Sequence, residues 1–174
     1  TTMVSFTTLL TLAAGALATP VTPVLTTRDM NIPANWTWHV SGWEAGCQRQ
    51  GCYYNFNITI PSWRAAIGGG KYYCNGYENG WYRKGNWFEE CKLLELAPGD
   101  FLSEANNTVA AKLSEQVGDD PTPNEIIVSF VWKGYTPTGR PSYNFSGEAP
   151  AVYNQFVSPP LEFDITPSDV FAVA

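Results

Sequence analysis

Carboxylate pairs are the residues of this chain whose types and spacing come closest to catalytic chemistry. Two acidic side chains that flank one bond can hydrolyse a glycoside, one acting as acid and the other as base or nucleophile. The candidates for such a pair are Glu89-Glu90, Asp119-Asp120, Glu162 and Asp164. Acidic pairs are also common on solvated surfaces, and we expect that role here.

The other catalytic and metal-binding signals are weak. The single histidine, His39, lies among alternating tryptophans, which favours a strand residue over a general base. The chain has no Gly-x-Ser-x-Gly elbow, no Gly-rich phosphate-binding motif and no His pair. The sequence therefore predicts no catalytic residue, no metal site and no cofactor.

The four cysteines are Cys47, Cys52, Cys74 and Cys91. An even number in an exported chain predicts two disulfides, although four cysteines allow three pairings. Cys47 and Cys52 flank a short loop between two predicted strands, where paired Cβ atoms can lie within bonding distance. That pairing leaves Cys74 with Cys91. A zinc site is the alternative, but Cys74 and Cys91 do not form a second short pair.

The interval from Cys74 to Cys91 is the strongest candidate for a binding site, because it interleaves aromatic side chains with glycines and two cations. Aromatic rings with polar tips recognise sugars and protein surfaces, and glycine lets such a loop conform to a partner. The predicted binding residues are Tyr77, Trp81, Tyr82, Arg83 and Trp87. The alternative is that these rings turn inward and form the core of a disulfide-tied hairpin.

The N-terminal residues predict export. Residues 3–18 are apolar and uncharged, and they end in the small-x-small sequence Ala16-Leu17-Ala18. This run is too short to span a bilayer, so we interpret residues 1–18 as a signal peptide and expect a secreted protein with no membrane segment in its mature form. Residues 19–29 are rich in Pro and Thr, which indicates a linker or pro-segment, and residues 30–174 then form one β-barrel domain.

The elements that position these residues are predicted to be β-strands. In residues 53–60 the side chains of Tyr54, Phe56, Ile58 and Ile60 alternate with a second, more polar set, as on a strand with one buried face. Further strands are predicted at residues 36–40, 71–74, 91–96, 108–117, 125–133, 142–146, 153–157, 161–165 and 170–173.

Two of these predicted strands carry extra information. Residues 108–117 also fit a helical spacing, but their neighbours favour a strand. Residues 125–133 are apolar on both faces, which predicts a central position in a sheet. Many short strands separated by turns predict an all-β fold, a single antiparallel β-barrel or sandwich with disulfide-tied loops.

Four Asn-x-Ser/Thr sequons predict a glycoprotein, at Asn35, Asn57, Asn106 and Asn144. Asn57 is the most informative of them, because it alternates with Phe56 and Ile58 within a predicted strand. If those apolar residues face the core, Asn57 faces solvent, where a glycan can be accommodated.

Residues 36–91 resemble small secreted fungal proteins grouped with the major allergen of Alternaria. The resemblance rests on Trp36-x-Trp38-x-Val40, Trp43-x-Ala45-Gly46-Cys47, Cys52-x-Tyr54-x-Phe56-x-Ile58 and the aromatic Cys74–Cys91 interval. It implies a disulfide-bonded β-barrel, with Cys74–Cys91 as the matching bridge and no defining enzymatic activity. The chain departs from the family in having no later cysteine pair and in placing Cys47 opposite Cys52.

Two classes of function follow. The first is a secreted, non-enzymatic interaction protein of the allergen or effector type, whose loops contact a host protein or a cell-wall component. The second is a carbohydrate-binding wall protein or a weak glycoside hydrolase. The formal net charge of −6 argues against a nucleic-acid partner, because such a partner needs a basic footprint.

The leader makes a prediction that can be checked directly. We expect the mature N-terminus at Thr19 or close to Asp29, because cleavage follows Ala18 or the end of the Pro/Thr-rich segment. Intact mass and N-terminal sequencing of protein recovered from a culture medium measure it. Recovery of the unprocessed chain would contradict the interpretation.

Overall fold

A computed structural model describes residues 32–48, 51–63, 67–78, 86–97, 107–116, 122–133, 142–155 and 159–173. The predicted signal peptide and linker lie outside these residues. The described residues form ten β-strands and no helix. The strands are β1 (Trp38–Gln48), β2 (Gly51–Ile60), β3 (Gly70–Tyr77), β4 (Glu89–Glu90), β5 (Lys92–Leu96), β6 (Thr108–Leu113), β7 (Glu125–Trp132), β8 (Ser142–Pro150), β9 (Leu161–Ile165) and β10 (Asp169–Val173).

The strands form two antiparallel sheets of five. Sheet I has the order β5-β3-β2-β1-β9, and sheet II has the order β10-β8-β7-β6-β4. The all-β prediction is confirmed, but closure into a barrel is wrong for the described strands: no ladder joins an edge strand of one sheet to an edge strand of the other. Closure needs edge strands that pair along their length, whereas β4 is only two residues long and the chain then crosses to sheet I.

The core lies between the two sheets and is dominated by aromatic rings. Trp38 of β1 and Phe130 of β7 are fully buried, and their ring centroids lie 6.3 Å apart in an edge-to-face arrangement. Trp36 packs against Phe145 of β8, and the two ring centroids lie 5.1 Å apart. Edge-to-face pairs of this kind are favourable, and truncating a buried Phe or Trp to Ala costs about 3–5 kcal/mol.

The predicted face of residues 53–60 is confirmed. Tyr54, Phe56, Ile58 and Ile60 are buried, and the residues between them are half-buried or exposed. The central position predicted for residues 125–133 is also confirmed, since β7 is the middle strand of sheet II. The ambiguous segment 108–117 is a strand over Thr108–Leu113, and its described remainder is not.

The first strand differs most from its prediction. It starts at Trp38 rather than Trp36 and continues to Gln48. The prediction ends at Val40 because a β-bulge between Ser41 and Glu44 interrupts the alternation of buried and exposed residues. Gly42 takes a φ of 67° there, a conformation that glycine adopts without steric cost. The extra residue turns Trp43 inward beside Val40, and both are fully buried.

The strand predicted at residues 153–157 is wrong for its described part, residues 153–155. Asn154 instead contacts β1 through both its side chain and its backbone amide, which donates to the Ala45 carbonyl at 2.9 Å. Its Oδ1 accepts a hydrogen bond from the Ala45 amide, and its Nδ2 donates to the Trp43 carbonyl, both at 2.9 Å. These bonds satisfy the Trp43 carbonyl and the Ala45 amide of β1. They lie where the pairing of β1 with β9 stops, since Trp43 and Leu161 are the last paired residues.

Gly147 in β8 marks a close approach between the connection from β9 to β10 and sheet II. A Cβ at this position would lie 2.8 Å from Cγ2 of Ile165 and 3.0 Å from Cα of Pro167. We expect Gly147→Ala to lower the free energy of unfolding by about 1–3 kcal/mol, because the backbone at Pro167 must move. Chemical denaturation measures it. Glu148→Ala, at the neighbouring exposed position, is the control, and equal stability of the two variants would contradict this packing.

Candidate functional site

Both disulfides join the predicted cysteines. Cys47 and Cys52 are cross-strand partners at the end of the β1–β2 hairpin, and their Cα atoms lie 3.9 Å apart. Cys74 of β3 is bonded to Cys91, with a Cα–Cα distance of 4.4 Å. No cysteine is free, so the zinc alternative is wrong.

The Cys74–Cys91 bridge encloses the predicted binding loop. The structure describes both ends of this loop, which we call the loop arms, residues 75–78 and 86–90. Two of the five predicted binding residues lie on them: 42% of Tyr77 and 67% of Trp87 is exposed. Trp81, Tyr82 and Arg83 lie outside the described residues. The inward orientation is therefore wrong for Tyr77 and Trp87.

The first arm is anchored through Glu78. Its backbone amide donates to the Cys52 carbonyl at 2.8 Å, and its Oε2 accepts from the Cys52 amide at 2.6 Å. Its Oε1 accepts a hydrogen bond from Nε2 of Gln116 at 3.3 Å. Glu78 therefore attaches the end of β3 to the Cys47–Cys52 hairpin on one side and to the residues after β6 on the other.

The second arm is anchored through Asn86, which is only 7% exposed. Its Nδ2 donates to the carbonyls of Leu113 and Ser114, at 3.3 Å each. Phe88 then lies 5.0 Å from Nζ of Lys112, a cation–π contact, and Glu89–Glu90 pairs with β6 as the edge strand β4. Both ends of the loop are thus held mainly by their own side chains, Glu78 and Asn86, which bind backbone groups elsewhere in the fold.

Sequence reasoning missed these anchors and the exposed Phe88. Glu78 and Asn86 have the residue types expected on a solvated loop, and nothing in their spacing relates them to Cys52 or Leu113. A buried polar side chain that pairs with backbone groups is recognisable only when its distant partners are known.

Tyr54 is a buried polar group near the second arm. Its hydroxyl donates to the Ala111 carbonyl at 2.7 Å, which joins β2 of sheet I to β6 of sheet II. Burial raises the pKa of Tyr54 well above its ordinary value, and the negative charge of Glu89 raises it further. The hydroxyl therefore stays protonated at neutral pH and serves as a fixed donor between the sheets.

The structure brings only some of the candidate catalytic residues close together. Nδ1 of His39 lies 2.9 Å from Oδ1 of Asp164, and its Nε2 lies 4.0 Å from Oε2 of Glu162. All three side chains are more than half exposed on the outer face of sheet I, so water screens the pair. Glu89 and Glu90 are exposed on β4, and Asp119-Asp120 lies outside the described residues.

The described residues also line a groove of about 410 Å³ beside the ends of β2, β3 and β5. Lys71 and Glu95 border it and are cross-strand partners. The described residues contain no group of three or more His, Cys, Asp or Glu side chains that could hold a metal ion. None of them belongs to a helix of the length and apolarity that a membrane crossing needs.

The predicted glycosylation sites differ in their surroundings. Asn35 is exposed in a turn before β1, whereas Asn57 and Asn144 are half-buried within β2 and β8, respectively. Asn106 lies outside the described residues. Asn57 lies on the face of β2 opposite its buried residues, as the alternation predicted.

Comparison with known proteins found no match among protein-family models, curated proteins or solved structures. Functional arguments for this chain therefore depend on its own residues.

The two disulfides should contribute unequally to stability. In the chain-entropy model, a bridge across 17 positions contributes about 3 kcal/mol and one across 5 positions about 2 kcal/mol. We expect the double variant Cys74→Ser/Cys91→Ser to melt at a lower temperature than Cys47→Ser/Cys52→Ser. Calorimetry measures both melting temperatures, and the opposite order would contradict the prediction.

Proposed function

We propose that this protein is a secreted, non-enzymatic recognition protein that presents the arms of the Cys74–Cys91 loop to a macromolecular partner. The observation that carries the proposal is the 67% exposure of Trp87 on an arm that Asn86 and the pairing of β4 with β6 hold in place. Tryptophan and tyrosine are the residues that most often dominate binding energy at interfaces. A ring held on an anchored arm loses little conformational freedom when a partner binds.

Export is supported by the cysteine chemistry. Two disulfides and no free cysteine fit an oxidising, extracellular-type compartment. The apolar leader expected at residues 1–18 and the four sequons fit the same route. The resemblance to secreted fungal allergen-like proteins, also part of this proposal, favours a host protein or a wall component as the partner.

A cell-wall glycan is the second candidate partner. Exposed planar rings such as those of Tyr77 and Trp87 can stack on sugars, and Asn75 on the same outer face of β3 as Tyr77 is also exposed. The weak-hydrolase version has less support, because Glu162 and Asp164 lie on an open sheet face beside His39. A glycosidase holds its two carboxyl groups on either side of a bound sugar.

The proposal predicts that binding depends on Trp87. We expect Trp87→Ala to weaken binding about 10-fold or more, as removal of a central interface tryptophan does, while the melting temperature stays within about 1–2 °C of the wild type. Binding is measured by co-sedimentation with chitin and β-glucan and by cross-linking to purified host extracellular proteins.

The matched control is Leu94→Ala, which truncates another exposed apolar side chain, on β5 and outside the loop arms. It should leave binding unchanged. If the Trp87→Ala variant binds as strongly as the wild type, the proposal is contradicted. A large loss of stability in this variant would also contradict it, because Trp87 would then be a structural residue.

A further inference from the structure

Two of the exposed aromatic side chains occupy matching positions on the outer faces of the two sheets. Tyr73 of β3 is the direct cross-strand partner of Asn57, and Phe171 of β10 is the direct cross-strand partner of Asn144. The exposed fractions are 38% for Tyr73 and 56% for Phe171. Both sequons that lie within described strands are therefore opposite an exposed ring.

The surroundings of Asn57 leave room for a modification. Its other cross-strand partner is Ser41, which begins the bulge of β1. The next residue, Gly42, has no side chain, and a Cβ there would lie 3.6 Å from Nδ2 of Asn57, the atom that carries an N-linked glycan. Thr59, whose hydroxyl completes the sequon, is exposed on the same face.

Asn144 is oriented by a hydrogen bond. Its Oδ1 accepts from the hydroxyl of Ser129 at 2.8 Å, and Ser129 is itself only 7% exposed. The bond uses the oxygen of the amide and leaves Nδ2, the atom that a sugar modifies, for the outer face. Phe171 lies beside it on β10, an edge strand of sheet II.

We propose that Asn57 and Asn144 carry N-linked glycans whose first N-acetylglucosamine packs on the ring of Tyr73 and of Phe171, respectively. Direct cross-strand partners have Cβ atoms about 4.5–5.5 Å apart, so a sugar on one asparagine is within reach of the opposite ring. One face of this sugar presents C–H groups, which suit an aromatic face.

The attachment is a group transfer in the secretory pathway. A lipid-linked oligosaccharide diphosphate supplies the sugar: the bond from C1 to the diphosphate oxygen breaks, the bond from C1 to Nδ2 forms, and Nδ2 loses one proton. The inference shares with the proposed function the premise of export. It does not depend on any partner of the loop arms. It concerns instead glycans attached covalently to the outer faces of both sheets.

The first test is occupancy. Glycopeptide mass spectrometry of protein secreted from a eukaryotic host should find sugar on both Asn57 and Asn144. Absence of sugar from either asparagine would overturn the proposal for that strand pair. Trp87-dependent binding can be measured on the same protein, so a failure here is separate from a failure of the proposed function.

The second test is a thermodynamic cycle for each pair. Removing the first sequon with Thr59→Ala should lower the melting temperature by about 2–4 °C more in the wild type than in Tyr73→Thr, because the loss of Thr59 itself is common to both and only the wild type has the ring that the sugar covers. Ser146→Ala and Phe171→Thr form the same cycle for Asn144. Trimming each glycan enzymatically to its first sugar should leave the melting temperature as it was.

Two controls separate the sugar–ring contact from changes in the strands. Thr59→Ser keeps the sequon and should keep both the glycan and the melting temperature. Tyr77→Thr changes another exposed tyrosine on the same face of β3, one that pairs with Tyr53 rather than an asparagine, and should not alter the effect of the glycan. A glycan effect of equal size with and without Tyr73 would overturn the proposed contact.

Discussion

Cys91 lies where the chain leaves sheet II and enters sheet I, and its sulfur is bonded to Cys74 in β3. Its amide donates to the Val109 carbonyl at 2.8 Å, so the corner is also attached to β6. One covalent bond therefore holds the crossing between the sheets and joins the two arms of the loop. Corners at which a strand passes from one sheet to the other determine how two packed sheets are arranged.

The interior between the sheets combines close aromatic packing with a few satisfied polar groups. The Tyr54 hydroxyl reaches across to the Ala111 carbonyl, and Asn154 completes the hydrogen bonds of β1 where β9 ends. The first bond joins the two sheets, and the Asn154 bonds satisfy backbone groups of β1 at the end of its pairing with β9. Such groups add specificity, because a shifted sheet would leave buried carbonyls and amides without partners.

The surface divides according to what surrounds its aromatic rings. Tyr77 and Trp87 belong to the anchored loop arms, where proposed recognition takes place. Tyr73 and Phe171 face asparagines of sequons, where the proposed glycans cover them. Both proposals give exposed rings an occupant, but one occupant is a partner and the other belongs to the protein itself. The two proposals differ because of the residue on the neighbouring strand. Tyr73 and Phe171 lie directly opposite the asparagine of a sequon, so a glycan on that asparagine would occupy the space beside the ring.

The sequence by itself determined the fold class, the buried face of β2 and the central position of β7. Alternation with a period of two is a local property, and it predicts the buried face wherever a strand is regular. The short loop between two predicted strands also favours a bridge between Cys47 and Cys52, a local relation, whereas the choice among three pairings came from the structure. The bulge at Gly42 interrupts that periodicity, so the alternation predicts a strand only as far as Val40 and does not assign Trp43 to the core.

Only the tertiary structure decided which sheet each strand joins, that the strands it describes do not close into a barrel, and how the loop arms are anchored. Glu78 reaches Cys52 and Asn86 reaches Leu113 across more than twenty positions, and no local spacing encodes such contacts. The pairing of Asn57 with Tyr73 and of Asn144 with Phe171 likewise required the register of neighbouring strands. Register depends on the turns and on the packing of whole faces, which a one-dimensional pattern does not contain.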